Sequence, residues 1–151
     1  MIYPDLTSYR HFLQRPLSSV SNVGWLSAEC DFSQGEVSPF FLKKLREAII
    51  GNEFFNAQVN RARSTSPCPL CGCSAIEVNN DYGREFLGAA ELWIPAIREG
   101  AYYAAPTLIM HYVSKHLYLP PLEFIEALMR LDISTPYIAQ EHYLREVKGC
   151  F

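Results

Sequence analysis

The chain has no apolar run approaching the roughly 18 residues that a membrane-crossing helix needs, so a membrane partner is not expected. Its first residues, Met1-Ile2-Tyr3-Pro4-Asp5, carry neither the basic region nor the apolar stretch of a secretory signal. An excess of charge is missing too. Thirteen Lys and Arg against sixteen Asp and Glu leave −3, which gives no electrostatic reason to expect nucleic acid or an anionic surface. Neither H-E-x-x-H nor H-x-E…C-x-x-C occurs, so no familiar zinc catalytic signature is present. The five cysteines are odd in number and three of them are bunched between 68 and 73, which is poor disulfide arithmetic. It fits a reducing compartment, and a cytoplasmic location is expected. Internal repeats and low-complexity segments are also lacking.

What is present is a globular composition. Nearly half of the residues (49%) are apolar and 13% are aromatic, enough for a core rather than a disordered chain. At 151 residues the chain is expected to be one domain, 1–151, with a core over 24–131 and a helical extension over 132–151.

The chemistry gathers in two places. Cys68 and Cys71 form a C-x-x-C pair, a spacing at which two thiolates on a tight turn can reach one tetrahedral ion. Pro67 and Pro69 restrict the backbone beside the first thiol. Gly72 supplies the permissive φ that lets amide N–H groups turn toward sulfur. About forty residues on stand His111 and His116, within the spacing tolerated for a zinc histidine pair. Five residues apart on an ideal helix, their rings would point about 140° apart. They can converge only if the last turn loosens, which Leu119-Pro120-Pro121 allows. Joined, the two halves predict a zinc site of Cys68, Cys71, His111 and His116, with Zn2+ as the cofactor. The linker is too long for a nucleic-acid finger. Each residue also has a plainer reading: three unligated thiols, or histidines serving only in packing. Cys73 is the substitute if one histidine does not ligate, and His111 is then the one to keep. Cys30 reads as a small hydrophobe, and Cys150 has no assigned role.

The rest of the chain predicts an α+β fold: a small β-hairpin or sheet with four to five helices, and a zinc knuckle joined to a helix. A first helix is expected over 5–14, with Asp5 as cap and His11 solvated or packing. Residues 17–37 read as loop with a short extended piece at 23–26, where Trp25 is a core anchor. Ser38 and Pro39 open a helix whose apolar face is Phe41, Leu42, Leu45, Ala48 and Ile49, closed by Gly51. Arg61 and Arg63 are too few for phosphate binding. Residues 75–78 read as a strand, 79–83 as a turn, and Leu92-Trp93-Ile94 as a strand returning through 101–104 as a hairpin. Pro95 marks an edge or a strand end. Further helices are expected over 106–118, with Pro106 at its first position, over 121–131, and from Thr135-Pro136 to Lys148.

From about Gly24 to Ala127 the chain resembles a group of small, largely uncharacterised bacterial proteins. The resemblance rests on Gly24-Trp25-Leu26, on Gly35-Glu36-Val37 with the Phe41–Leu45 helix, on Cys68-Pro69-Leu70-Cys71, and on Ala90-Glu91-Leu92-Trp93-Ile94-Pro95. It continues through Tyr103-Ala104-Ala105-Pro106-Thr107-Leu108-Ile109, His111-Tyr112-Val113, and the more specific His116-Leu117-Tyr118-Leu119-Pro120-Pro121 and Phe124-Ile125. It implies a shared zinc site at Cys68, Cys71, His111 and His116, and no established activity. Some small proteins of this kind look like immunity partners of bacterial toxins. Residues 1–20 and 132–151 lie outside the resemblance.

Two functions follow as expectations. The first is a non-enzymatic, zinc-stabilised protein-binding module, an immunity-type protein that neutralises a toxin. A closed four-ligand site and the want of a nucleophile–base set favour it, so no catalytic residue is assigned. The second is a metal-dependent hydrolase with an open zinc position, for which Glu91, Glu77 or Glu123 would be the nearest general base. A redox role for Cys68 and Cys71 is a third.

Overall fold

The computed structural model describes residues 2–150. Two buried, largely apolar strands lie side by side in the sheet. Strand β7 (Glu91–Pro95) pairs antiparallel with β8 (Tyr102–Pro106), with Trp93 facing Ala104 and Leu92 facing Ala105 across the ladder. Small residues opposite large ones let two well-buried strands pack without clash. Around them form the other strands of a five-stranded sheet, in the order β1-β2-β8-β7-β4. These are β1 (Ser8–Tyr9), β2 (Leu17–Asn22) and β4 (Gln58–Val59). Within this sheet only β2 and β8 run parallel. Strand β3 (Phe55–Asn56) pairs with β9 (Tyr137–Ile138), and β5 (Glu77–Asn80) forms a hairpin with β6 (Gly83–Phe86). Four helices complete the mixed α+β fold among the described residues: α1 (Pro39–Ile50), α2 (Ile109–Lys115), α3 (Leu122–Met129) and α4 (Ala139–Glu146). None is long and apolar enough to cross a membrane.

Both faces of the sheet are covered, which is why β7 and β8 read as continuous apolar runs. The period of two divides their side chains. Leu92, Ile94, Tyr103 and Ala105 join a core with Phe41, Leu45 and Ile49 of α1, Ile109 and Tyr112 of α2, and Phe124 and Leu128 of α3. Trp93, Tyr102 and Ala104 point the other way, to Tyr9, Val20, Val59, Ala139 and Tyr143. Residues 132–150 thus supply Ala139, Tyr143 and Val147 to the second core.

Helix α1 forms as its sequence dictates. The Ser38 hydroxyl accepts the Phe41 N–H at 3.1 Å, Pro39 stands at the first turn, and Gly51 follows with φ +70°. Four of its five apolar-face residues are fully buried, Leu42 only partly. The hairpin of β7 and β8 also matches its pattern, with Pro95 at a strand end.

Four local expectations give way to tertiary pairing. The helix over 5–14 does not form. Leu6 and Phe12 have φ of +67° and +65°, the Leu6 N–H donates to the Asn22 carbonyl, and Tyr9 enters the sheet. Asp5 caps nothing; its carboxylate accepts the Gly24 N–H at 3.0 Å and the Tyr118 hydroxyl at 2.7 Å. Leu17–Asn22, read as loop for its serines, is a strand, because Leu17, Val20 and Asn22 fall on buried positions beside β8. Pro106 ends β8 instead of starting a helix, and α2 begins three residues later. Pro136 precedes strand β9, where the Tyr137 N–H donates to the Phe54 carbonyl, so the last helix starts at Ala139.

Candidate metal centre

The Cys68 loop is pinned from two sides. The Ser66 N–H donates to the Gly88 carbonyl at 2.9 Å, and the Gly88 N–H donates to the buried Thr107 hydroxyl at 2.9 Å. Gly88 has φ +97°, and a Cβ there would lie 2.5 Å from the Ser66 carbonyl oxygen. Only glycine permits that close approach. Beyond it the chain turns tightly: the Gly72 N–H donates to the Cys68 carbonyl and the Cys68 N–H to the Cys73 carbonyl, both at 2.8 Å. Gly72 has the left-handed φ its position required, +75°. The Leu70 N–H points to Cys68 Sγ at 3.3 Å.

The histidines come from α2 and the residue just past it. His111 sits buried in the helix, and His116 is its C-cap, with φ −111° and ψ 6°. The last turn loosens as the pair required. The Ser114 hydroxyl donates back to the Met110 carbonyl at 2.7 Å, a bond that bends helices. Leu117 then takes φ +54° and turns the chain out. Three contacts hold the new direction. The Tyr118 ring is fully buried with its hydroxyl on Asp5, the Leu119 N–H donates to the Ser33 carbonyl, and the Gly35 N–H donates to the Leu117 carbonyl.

These devices bring the four side chains together. Cys68 Sγ lies 3.5 Å from His116 Nε2, Cys71 Sγ lies 3.4 Å from His111 Nε2, and the two Nε2 atoms are 3.3 Å apart. All four ligand atoms lie within 4.8 Å of one another, close enough to hold one metal ion. Cys68 and His111 are buried, His116 is half-buried and Cys71 is exposed. Burial pushes the Cys68 thiol above its ordinary pKa. The Cys73 backbone N–H pulls that of Cys71 below it. Burial, then the His116 ring and Lys115, lower that of His111, favouring the neutral form that ligates metals.

Other candidates lie elsewhere. Cys73, adjacent to the turn, is exposed and is not one of the four grouped ligands. Cys30 is exposed on the Ser27–Cys30 turn and is not the buried small hydrophobe the sequence suggested. Glu123 accepts the Tyr103 hydroxyl at 3.1 Å, and Glu77 is exposed on β5. Glu91 is different. It is buried at 4% exposure and accepts from the Tyr9 hydroxyl at 2.7 Å, Asn60 Nδ2 at 2.6 Å and Trp93 Nε1 at 3.3 Å. It lines a cavity of about 400 Å³ whose wall includes Pro67, Pro69 and Tyr112, neighbours of the four ligands, but none of the ligands themselves. Trp25, read as a core anchor, is half-buried and lines the same cavity, its Nε1 donating to the Ala104 carbonyl. Sequence reasoning missed Asn60 and His11 as partners in this cavity. Neither carries a local signal, because Asn60 lies about 50 residues from β1 in sequence and meets it only through the sheet.

The sequence model of a family described as a domain of unknown function, DUF7919, matches residues 1–129. The chain belongs to that family. The match includes the first twenty residues, which the resemblance drawn from the sequence left outside; Tyr9, Leu13, Leu17 and Val20 are buried in the second core and Tyr9 bonds Glu91, which gives a physical reason. The family carries no described activity. No curated protein matches. No solved structure matches either.

Proposed function

We propose that this family member is a non-enzymatic, zinc-clasped binding protein, and that what it binds is another protein, a bacterial toxin that it neutralises. The observation that carries the first half is the spacing of the four ligand atoms. Zn–S bonds of about 2.3 Å and Zn–N bonds of about 2.0–2.1 Å at tetrahedral angles give S–N edges of about 3.5 Å and an N–N edge of about 3.3 Å. The contacts of 3.5, 3.4 and 3.3 Å match those edges. Two thiolates and two imidazoles are a donor set typical of structural zinc. Four protein ligands fill a tetrahedron and leave no position for a reacting water. A hydrolase would need an open position, and the cavity beside Glu91 is lined by none of the ligands.

The binding half rests on the large apolar side chains left on the surface, among them Phe40, Tyr82 and Leu122, each about 70% exposed (75%, 69% and 69%). Two measurements test the proposal. X-ray absorption at the zinc edge is expected to show two sulfur and two nitrogen neighbours; three protein ligands and a water would favour the hydrolase instead. Co-expression with the product of an adjacent toxin gene is expected to restore growth and yield a stable complex. Failure of both rescue and complex formation would remove the immunity reading while leaving the zinc clasp standing.

A further inference from the structure

The cavity beside Glu91 has a composition that the metal clasp does not explain. A carboxylate taken out of water is costly unless paired with a cation. Glu91 is 4% exposed, and neither ion pair found among the described residues involves it. Its three partners, Tyr9, Asn60 and Trp93, are all neutral. Oε1 takes two of these donors and Oε2 only one, from Asn60. With about four acceptor positions on a carboxylate, one remains, on Oε2. Glu91 and Asn60 both face the cavity. Asn60 is itself held there with φ +53° and its N–H on the Gln140 side chain.

The same cavity is also lined by aromatic side chains. The His11 and Phe12 ring centroids lie 3.9 Å apart with their planes tilted by 48°, those of His11 and Trp25 lie 5.4 Å apart, and all three residues line the cavity. Burial is the largest cause lowering the pKa of His11, so its ring favours the neutral form. Aromatic faces within about 6 Å attract a cation through the ring quadrupole. At about 400 Å³ the space is at the lower end of small-molecule sites, which run from about 300 to 1,000 Å³.

We propose that this cavity is a binding site for a small organic cation, an ammonium or guanidinium head on a short apolar body. The head donates to Glu91 Oε2 and the body lies against Trp25 and Phe12. The site includes none of the four proposed zinc ligands and does not depend on a toxin partner.

The test uses the intact metal-loaded protein and four probes of similar size: butylguanidinium, butylammonium, butyrate and N-methylbutyramide. Trp25 fluorescence and titration calorimetry read binding. The two cations are expected to bind in the millimolar range or tighter, with the anion and the neutral amide at least tenfold weaker. Glu91→Gln is expected to weaken the cations at least tenfold. Glu91 also ties Tyr9 to Asn60, so that variant can lose stability. Phe12→Ala, at a side chain 69% exposed, keeps the fold and is expected to weaken both cations at least threefold. Cation binding equal to that of the neutral amide would overturn the proposal, as would affinity unchanged in both variants.

Discussion

Replacing Cys71 with serine isolates the clasp from the core. Cys71 is exposed, so its loss removes no packing, whereas Cys68 is 1% exposed and its replacement would confound ligation with burial. Cys71 and His111 are 40 residues apart in sequence and 3.4 Å apart in space. Bridging a loop of about 40 residues removes about 13 cal/mol/K from the unfolded chain, about 4 kcal/mol at 25 °C, by the chain-entropy relation used for covalent cross-links. In a chain of this length each kcal/mol moves the melting midpoint by about 2–4 °C. Cys71→Ser is therefore expected to lower Tm by about 8–16 °C and to reduce bound zinc from one equivalent to a small fraction. Elemental analysis of the purified protein and scanning calorimetry with and without chelator measure both. Chelator should bring the wild type down to the variant and leave the variant unmoved. Cys73→Ser, outside the ligand group, is the control and should keep both metal and Tm. A Cys71→Ser protein that keeps a full equivalent of zinc, or that loses zinc and melts where the wild type does, would refute the reasoning.

Gly88→Ala places a Cβ 2.5 Å from the Ser66 carbonyl at φ +97°, so the Cys68 loop must shift. Calorimetry is expected to show a loss of about 2 kcal/mol or more, and elemental analysis a lowered zinc content. Ser38→Ala removes the α1 cap and is expected to cost about 1 kcal/mol, a fall in Tm of about 2–4 °C, with zinc content unchanged. Glu91 gives a pH dependence. Burial raises its folded pKa above the ordinary carboxylate value, although its three donors oppose the shift. The folded state therefore binds the proton more tightly, and this contribution to stability is full below the ordinary carboxylate pKa. It is lost as pH rises through the higher folded value. Denaturant titrations of wild type and Glu91→Gln across that window should differ in slope, the wild type losing more stability with rising pH.

Local sequence fixed what depends on neighbours a few residues apart. Ser38, Pro39 and Gly51 bound α1, and its apolar spacing named the buried face. The apolar run Leu92-Trp93-Ile94 marked β7, and Gly72 marked the turn just after the thiol pair. The four residues that lie close enough to hold one metal ion were also legible, because C-x-x-C and paired histidines are chemical patterns that carry their own spacing. Tertiary structure decided the rest. Residues 5–14 have a helical stripe, yet sheet pairing with β2 and the Tyr9–Glu91 bond outweigh a propensity worth only tenths of a kcal/mol per residue. That His116 meets His111 depends on Leu117 at φ +54° and on Tyr118 anchored to Asp5, 113 residues away. The cavity around Glu91 has no sequence signal, since Tyr9, Asn60 and Glu91 come from three separate segments. Long-range convergence of this kind is set by the packing of the whole sheet, and no local window of the chain contains it.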